Sequence, residues 1–409
     1  MLATKTVFRR CPVCASDSVQ VFHHQSFAAP RELNAAPEYD VVGCERCGLA
    51  YADHDVSQQT IDLAYEAHSK YATEMVTDAG RLEASPPTDP PWDLARLRDV
   101  AAYLADKIID KNARVLDAGC SNGSFLAFMR EQGFTNLLGL EPSHTAVATA
   151  VQFNRVDAIA GSFITPPPDI GRFDLVALSH VLEHLNDVSD AVTSLRALLK
   201  PGGLAYIEVP DAARYTDYLV APFHDFNTEH INHFSLPVLR TLLAQYGFEE
   251  VESGAKTVLC SLVDDYPAIF GLWRKTDDKA PTLVPTLDAA LARQIAKYVN
   301  ESKKLFAEMN ARLEQDLEGH EEVIVWGAGQ LTMKLLLHSV LARKRIVTVI
   351  DSSPSRRGMH IGEIEILPPA AIKTDGIPIV IGSLHHEESI LSMAHAAFPK
   401  NPIVRLYRR

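Results

Sequence analysis

Arg114-Val-Leu-Asp-Ala-Gly-Cys-Ser-Asn-Gly-Ser-Phe-Leu126 is the stretch that decides the fold of this chain. A short apolar run ends at Asp117, a turn containing Gly119 and Gly123 follows, and an amphipathic stretch then begins. Glycine lets the backbone turn sharply, and the first turn of a helix offers free N–H groups to an anion. The stretch therefore predicts a strand, a ligand-binding turn and a helix, although it lacks the Gly-x-Gly-x-x-Gly dinucleotide fingerprint.

Four further strand-like runs follow, separated by amphipathic stretches; they are Leu137–Glu141, Val156–Ala160, Phe173–Ser179 and Leu204–Val209. Strands that alternate with helical patterns predict a parallel sheet with crossover helices. Ligands of such sheets bind beyond the carboxyl ends of the strands. We therefore predict a doubly wound, Rossmann-like α/β domain over residues 92–282.

Composition limits the classes of partner. The 409 residues carry a formal net charge of -13, which argues against non-specific nucleic-acid binding and against a membrane-surface role. The N-terminus lacks the apolar core of a secretory signal, and no run of eighteen apolar residues occurs. We expect a cytoplasmic protein with a small-molecule substrate and no nucleic-acid or membrane partner. The sequence leaves the oligomeric state open, and a monomer is one option.

The glycine turn resembles the first motif of class I S-adenosylmethionine-dependent methyltransferases, Asp-x-Gly-x-Gly-x-Gly, with Ser121 at the middle glycine. The resemblance implies S-adenosylmethionine as cofactor, with Glu141 on both ribose hydroxyls and Ser162 and Phe163 near the adenine. Structural roles for Asp117, as a helix cap, and for Glu141, as a surface acid, remain open. The predicted cofactor-binding residues are Asp117, Gly119, Cys120, Ser121, Gly123, Glu141, Pro142, Ser162, Phe163, His180 and His184.

A histidine cluster follows the fifth strand-like run, with His224, Glu229, His230 and His233 inside ten residues. Histidine can accept or donate a proton near neutral pH, and Glu229 is placed to orient the neighbouring ring. Metal binding is an alternative, although no familiar ligand spacing fits these histidines. A purely structural Glu229–His230 pair that fixes the loop is another.

Two Cys-x-x-Cys pairs, Cys11 with Cys14 and Cys44 with Cys47, predict a structural Zn²⁺ site with four thiolate ligands. A nucleic-acid-binding zinc ribbon is an alternative, but the mixed charges around these pairs give no basic face. The other two cysteines, Cys120 and Cys260, lie in apolar contexts that favour inert core positions.

Together these features resemble the sugar C-methyltransferases, which act on nucleotide-linked keto-deoxysugars in antibiotic biosynthesis. The resemblance implies a nucleotide-sugar substrate and His230 as the base that forms an enolate. A tyrosine usually lies three residues before that histidine, where this chain has Asn227. The predicted catalytic residues are His230, Glu229, Asn227 and His233. Two other hypotheses stay open: an O- or N-methyltransferase of another small metabolite, and a non-catalytic zinc-containing binding protein.

The predicted domains cover the chain in order. They are residues 1–55 (zinc-binding), 56–91 (helical connector), 92–282 (S-adenosylmethionine-binding), 283–320 (linking helix) and 321–409 (C-terminal Rossmann-like domain).

In the C-terminal Rossmann-like domain, a strand runs into Gly327 and Gly329, but Thr332 stands where a third glycine would be, so the indication for NAD is weak. The resemblance implies that this domain helps to hold the sugar nucleotide. Arg356 and Arg357 are placed either to bind its diphosphate or to lie in solvent.

Overall fold

The computed structural model describes residues 7–30, 32, 36–68, 75–76, 82–83, 86–87, 89–261, 264–276, 285–353, 356–384 and 386–407. The chain divides into two compact units, each built from separate stretches of sequence. The first comprises residues 1–20, 42–214 and 229–294, and the second comprises residues 21–41, 215–228 and 295–409. The boundaries of the five predicted domains stay predictions.

The strands within the described residues are β1 (Val19–Ser26), β2 (Glu38–Cys44), β3 (Ala50–Asp53), β4 (Met75–Val76), β5 (Leu82–Glu83), β6 (Arg114–Ala118), β7 (Asn136–Glu141), β8 (Ala158–Ala160), β9 (Phe173–Ser179), β10 (Leu199–Pro210), β11 (Asn232–His233), β12 (Phe248–Leu259), β13 (Asp265–Lys275), β14 (Glu322–Trp326), β15 (Arg345–Ile350), β16 (His360–Ile361), β17 (Ile364–Leu367), β18 (Ile379–Ile381) and β19 (Ile403–Val404).

The α-helices are α1 (Gln58–His68), α2 (Pro91–Lys107), α3 (Ser124–Glu131), α4 (His144–Thr149), α5 (Val188–Leu198), α6 (Leu236–Gln245), α7 (Ala289–Asp316), α8 (Gln330–His338) and α9 (Glu387–Ala397). A π-helical turn, Ala150–Asn154, continues α4, and short 3-10 helices cover Leu182–His184, Ala212–Tyr218, Val340–Arg343 and Pro369–Ala371. Within the described residues, no helix has both the length and the apolar character that crossing a bilayer requires.

The first unit is built on a seven-stranded sheet with the order β12-β13-β10-β9-β6-β7-β8. The strands from β8 to β10 in this order are parallel, whereas β13 runs antiparallel to both β10 and β12. The predicted doubly wound, Rossmann-like α/β core is confirmed. The order reverses at β6, so the carboxyl ends of β6, β7, β9 and β10 meet at the edge where ligands bind in such sheets.

Apolar side chains of β6 and α3 explain why this unit packs. Val115 and Leu116 in the strand and Leu126 and Met129 in the helix are fully buried. The helix α2, which begins at a proline, adds Leu104 to the same core. Burying a large apolar side chain contributes roughly 1.5–3 kcal/mol, so these elements hold the turn between them firmly.

The second unit contains a six-stranded sheet with the order β16-β17-β15-β14-β18-β19. The strand pairs from β17 to β19 are parallel, and β16 pairs with β17 in the antiparallel sense. The predicted strand, glycine turn and helix correspond to β14, Gly327 and α8. Thr332 is buried, and its hydroxyl donates to the carbonyl of Gly327 at 2.6 Å, so this hydrogen bond stabilises the turn.

Candidate active site and cysteine cluster

Glu141 lies at the carboxyl end of β7 and is fully buried. Its Oε2 accepts the backbone N–H of Ser121 at 2.9 Å, and its Oε1 accepts that of Ser143 at 3.0 Å. Burial raises the pKa of Glu141 to about 7, against the effect of the two backbone hydrogen bonds, which favour the charged form. The carboxyl group therefore joins the end of β7 to the turn that follows β6.

The turn after β6 requires glycine at Gly119. This residue has a φ of 76°, and a Cβ there would lie 2.8 Å from Cγ2 of Val181. Ser121 also has a positive φ, of 49°, and its buried Oγ has no hydrogen-bond partner among the described groups. A buried hydroxyl without a partner costs free energy, so the turn is suited to a polar ligand.

Asp117, at the end of β6, is buried beneath this turn. Burial raises its pKa to about 7, the negative charge of Glu141 adds to the shift, and Arg96 opposes it. Two acids with raised pKa values thus lie near the same turn. The structure brings together Asp117, Gly119, Ser121 and Glu141, four of the predicted cofactor-binding residues.

The other predicted cofactor-binding residues have more varied surroundings. The thiol of Cys120 is buried, and a Cβ added at Gly139 would lie only 2.4 Å from its Sγ. Phe163 is buried, and its carbonyl accepts the hydroxyl of Ser194 at 2.7 Å. Ser162 accepts the backbone N–H of the residue two positions on, at 3.3 Å. Pro142, after Glu141, is partly buried, and all of these assignments stay predictions.

Gly123 begins α3 with a φ of 81°. A Cβ at this position would lie 2.6 Å from Cγ2 of Val156 and 3.0 Å from Cβ of Ala150. The helix therefore packs so closely on the π-helical turn Ala150–Asn154 that only glycine fits. This close packing sets where the free N–H groups of the first turn of α3 lie.

His230 lies beside His184, which ends the 3-10 helix after β9. The ring centroids are 4.9 Å apart, in an edge-to-face arrangement. Nδ1 of His184 lies 3.0 Å from the carbonyl oxygen of Glu229. A carbonyl oxygen can only accept, so Nδ1 carries a proton and donates it to this bond. The hydrogen bond fixes the orientation of the His184 ring beside His230.

The other predicted catalytic residues are placed differently. His233 is fully buried on β11, which pairs with β3, and burial together with Arg9 lowers the pKa of His233 to about 3. The side chain of Glu229 is exposed. Asn227 belongs to the second unit, where its carbonyl accepts the hydroxyl of Tyr39 at 2.8 Å. The catalytic roles stay predictions, and the burial of His233 favours a structural role for it.

The family comparison matches the segment that contains this site. Residues 92–253 match the family model described as a methyltransferase domain. This segment is a methyltransferase domain. The matched residues run from α2 into β12, so the methyltransferase domain includes β6, β7, β9 and β10, whose carboxyl ends form the ligand-binding edge.

Three proteins illustrate the similarity. The C-methyltransferase NovU of Streptomyces niveus is 25% identical over 224 residues, which are 52% of this chain and 47% of NovU. A tRNA U34 carboxymethyltransferase of Syntrophotalea carbinolica is 30% identical over 176 residues, covering 40% of this chain and 53% of that protein. The chain thus spans about half the length of each. A solved S-adenosylmethionine-dependent methyltransferase from Anabaena variabilis is 17% identical, with a TM-score of 0.41, over 53% of this chain and 95% of that one.

A buried charge cluster in the methyltransferase domain was missed at the sequence level. Glu208, near the end of β10, is fully buried. Its Oε1 accepts a hydrogen bond from Nη1 of Arg96 at 3.2 Å, and its Oε2 contacts the ammonium of Lys256. These cations and His180 hold the pKa of Glu208 well below its usual range, although burial acts in the opposite direction. The available signal was an acid inside the apolar run Leu204–Val209, at the strand end where ligands bind.

His180, a predicted cofactor-binding residue, links this cluster to the next acid. Its Nδ1 lies 3.0 Å from Oε1 of Glu183, and its Nε2 lies 3.3 Å from Oε1 of Glu208. Burial lowers the pKa of His180, but the contacts with the two carboxylates outweigh that effect and raise it overall. Both ring nitrogens face acceptors, so His180 is protonated and donates from both.

The four predicted zinc ligands also lie together, in the same unit. Sγ of Cys11 is 3.5 Å from Sγ of Cys47, and Sγ of Cys14 is 3.4 Å from Sγ of Cys44. All four sulfur atoms lie within 4.8 Å of one another. Zn–S bonds of about 2.3 Å in a tetrahedron place sulfurs roughly 3.8 Å apart, so the cluster has the right size and chemistry for zinc.

Backbone geometry fixes the second cysteine pair. Gly48 has a φ of 87°, and a Cβ there would lie 2.7 Å from the carbonyl oxygen of Asp288. The backbone N–H of Arg46 points at Sγ of Cys44 across 3.4 Å. An N–H directed at a sulfur stabilises the thiolate form, which is the form that binds a metal.

Proposed function

We propose that this chain is an S-adenosylmethionine-dependent methyltransferase that transfers a methyl group to carbon of a nucleotide-linked keto-deoxysugar. The observation that carries the proposal is the match of residues 92–253 to a methyltransferase domain whose ligand-binding edge holds Asp117, Gly119 and Glu141. The similarity to NovU, which is named a C-methyltransferase, supports carbon as the acceptor.

Several residues of the methyltransferase domain would hold S-adenosylmethionine. The carboxylate of Glu141 would accept hydrogen bonds from the ribose hydroxyls, and the turn at Gly119 would let the backbone approach the cofactor closely. The hydroxyl of Ser121, which has no hydrogen-bond partner among the described residues, would offer a polar contact at the same turn. When bound, S-adenosylmethionine supplies an electrophilic methyl group on a sulfonium that is already a good leaving group.

The rest of the proposed reaction belongs to the residues of the chain. His230 is partly exposed, and it would remove the proton next to the ketone of the sugar. The carbon that loses the proton becomes the nucleophile, and the domain aligns it with the methyl group. His180 and its carboxylate partners Glu183 and Glu208 form a hydrogen-bonded polar cluster at the ends of β9 and β10.

Methyl transfer to oxygen or nitrogen is the second candidate function, and Asn227 is the observation that favours it. The tyrosine expected there from the sugar C-methyltransferases is absent, and the side chain of Asn227 donates to the carbonyl of His224 at 3.3 Å. Substrates that need no enolate would not depend on that tyrosine. A non-catalytic binding protein is the third, and it predicts no methyl transfer to any acceptor.

Solvent deuterium exchange separates these candidates. The full chain is incubated in D₂O with nucleotide-linked keto-deoxysugars, without S-adenosylmethionine, and exchange beside the ketone is followed by mass spectrometry. Only enolate chemistry exchanges that position, so exchange is expected. Absence of exchange together with methyl transfer to another acceptor would show an O- or N-methyltransferase. No binding of S-adenosylmethionine in calorimetry would overturn the methyltransferase proposal itself.

His230→Ala is expected to lower the exchange rate by at least about 100-fold, since a positioned base contributes roughly 10²–10⁴ to a proton transfer. The affinity for S-adenosylmethionine should change by less than about twofold, because the ribose contact is assigned to Glu141. The control is His395→Ala, an exposed histidine on α9. Equal loss of exchange and of cofactor affinity would identify His230 as a structural residue.

We also propose that the cysteine cluster binds one structural Zn²⁺. Four protein thiolates fill a tetrahedral shell, so no position is left for water or substrate. The cluster of Cys11, Cys14, Cys44 and Cys47 meets that requirement in number, chemistry and spacing. The ion would stabilise the fold of this segment without taking part in methyl transfer.

A further inference from the structure

A second group of metal-ligating side chains lies at the ligand-binding edge of the methyltransferase domain. One ligand atom each from Glu183, His184 and His230 lies within 4.8 Å of the others. Glu183 and His184 are adjacent in the 3-10 helix Leu182–His184, and the fold brings His230 beside them. The sequence pattern did not suggest this group, since its metal alternative concerned the histidines between positions 224 and 233 alone.

Each of two candidate ligands is already oriented by an outer partner. Nδ1 of His184 donates to the carbonyl of Glu229, so Nε2 is the nitrogen left to face a metal ion, and Nε2 lies 3.9 Å from Oε1 of Glu183. The carboxylate of Glu183 accepts Nδ1 of His180 at 3.0 Å. Metal-binding histidines and carboxylates usually have such outer hydrogen bonds, which fix the tautomer and the direction of the ligand atom.

Glu183 supplies the second, independent observation. Its side chain is fully buried, and Oε2 has no hydrogen-bond partner among the described groups. A buried carboxylate oxygen that lacks a hydrogen bond costs free energy. A cation bound by this carboxylate would offset part of that cost.

We propose that Glu183, His184 and His230 form a binding site for a divalent first-row transition metal ion. Two imidazoles and one carboxylate favour such ions over Mg²⁺ and Ca²⁺, which prefer oxygen ligands alone. Bonds of about 2.0–2.2 Å require ligand atoms roughly 3.4 Å apart, so the side chains must move closer together on binding from separations of up to 4.8 Å. Three protein ligands leave a position open for water or a ligand oxygen.

Ion binding at this site has a consequence for His230, and this consequence rests on the proposed function. A neutral imidazole has one basic lone pair, so a ring that binds the ion cannot also accept the proton of the substrate. The ion would therefore inhibit proton removal. Ion binding itself does not depend on methyl transfer, and it is measured without substrate or S-adenosylmethionine.

The test is a Co²⁺ titration of the full chain after the cysteine cluster has received one equivalent of Zn²⁺. Calorimetry and visible absorption are expected to show one further Co²⁺ per chain, without the intense near-ultraviolet band that thiolate ligands produce. His184→Gln and Glu183→Gln should each weaken this binding at least tenfold. The matched control His395→Gln, at an exposed position on α9, should bind Co²⁺ as the unmodified chain does.

Two outcomes would overturn the proposal. One is the absence of a further Co²⁺, and the other is equal binding by the unmodified chain and all the variants. Because Glu183 is buried, circular dichroism of each variant has to match that of the unmodified chain. If Glu183→Gln fails to fold, His230→Ala replaces it, since this partly exposed ligand can be removed without placing a polar group in the core.

Discussion

Glu141 shows how burial and hydrogen bonding compete at one carboxyl group. Burial favours the neutral acid and raises the pKa to about 7, while the N–H groups of Ser121 and Ser143 favour the carboxylate. Near neutral pH the group is therefore close to the balance between its two forms. A ribose diol that donates two hydrogen bonds would favour the charged form, so binding and ionisation should support each other.

Replacing this acid should affect S-adenosylmethionine directly. Glu141→Ala is expected to weaken its binding at least about tenfold, because hydrogen bonds to a charged group contribute roughly 1.5–3 kcal/mol each. Calorimetric titration of the full chain measures this change. The control is Glu131→Ala, which removes an exposed acid at the end of α3. Unchanged affinity in Glu141→Ala would exclude the assigned ribose contact.

At the level of elements, the contact between β7 and the turn after β6 depends on Gly139. A Cβ at this position would lie 2.4 Å from Sγ of Cys120, 3.1 Å from its Cβ and 3.2 Å from Cβ of Ala158. Gly139→Ala should therefore lower the free energy of unfolding by about 1–3 kcal/mol, as overpacking of a core does. Urea unfolding followed by circular dichroism measures the loss.

A second substitution tests whether this clash has been assigned correctly. Adding Cys120→Ala removes the sulfur, so the double variant should lose less stability than the sum of the two single variants. Gly329→Ala is the control, because a Cβ there would meet nothing within 4 Å. Simple additivity of the two substitutions would show that Gly139 is limited by something other than the thiol.

The elements were predictable where local pattern decides them. The strand, glycine turn and helix from Arg114 to Leu126 form as β6, the turn and α3, because apolar spacing and glycine positions act locally. The predicted run Leu204–Val209 is the second half of the longer β10. Its extension to Leu199 crosses a register shift between Leu199 and Leu204, which depends on pairing with β9 and has no local signature.

The candidate site was less predictable, since its groups come from distant parts of the chain. The acids Asp117 and Glu141 could be found because each directly follows an apolar run. The Glu208 cluster could not be assembled, because Arg96 and Lys256 are on α2 and β12, far from Glu208 in sequence. For His233 the pattern showed a titratable ring, whereas only the structure shows that this ring is fully buried.

At the scale of the whole molecule, the compact units are discontinuous in sequence. Residues 215–228 belong to the second unit, although the residues before and after them belong to the first. The five predicted domains are contiguous in sequence, and their boundaries stay predictions. Membership of a compact unit depends on tertiary contacts, which leave no local pattern.

Lys334 gives the second unit a pH dependence. Its side chain is almost fully buried, its ammonium contacts the carbonyl of Phe223, and burial lowers its pKa to about 7, against the opposing effect of Asp225. In the unfolded chain the pKa is about 10.4. Between these values the unfolded state binds more protons, so the contribution of Lys334 to stability rises with pH from about 7 to about 10.

Lys334→Met should remove this dependence. The difference in free energy of unfolding between the unmodified chain and the variant should shift in favour of the unmodified chain by on the order of 1 kcal/mol per pH unit over that range. Urea unfolding at pH 7, 8 and 9 measures it, with Lys373→Met, an exposed lysine, as the control. Parallel pH profiles for the chain and Lys334→Met would contradict a buried, neutralised amine.

The proposed zinc ion should stabilise the first unit as a whole, because it would crosslink residues 11–14 to residues 44–47 through four bonds. Cys14→Ser is expected to reduce bound zinc to less than about a tenth per chain in the presence of a chelator, and to lower the thermal midpoint. Metal analysis and calorimetry measure the two effects. Cys260→Ser, which removes a partly buried thiol outside the cluster, should retain both. If Cys14→Ser kept its zinc, the ion would have to be bound elsewhere, and the crosslink could not explain the stability of this unit.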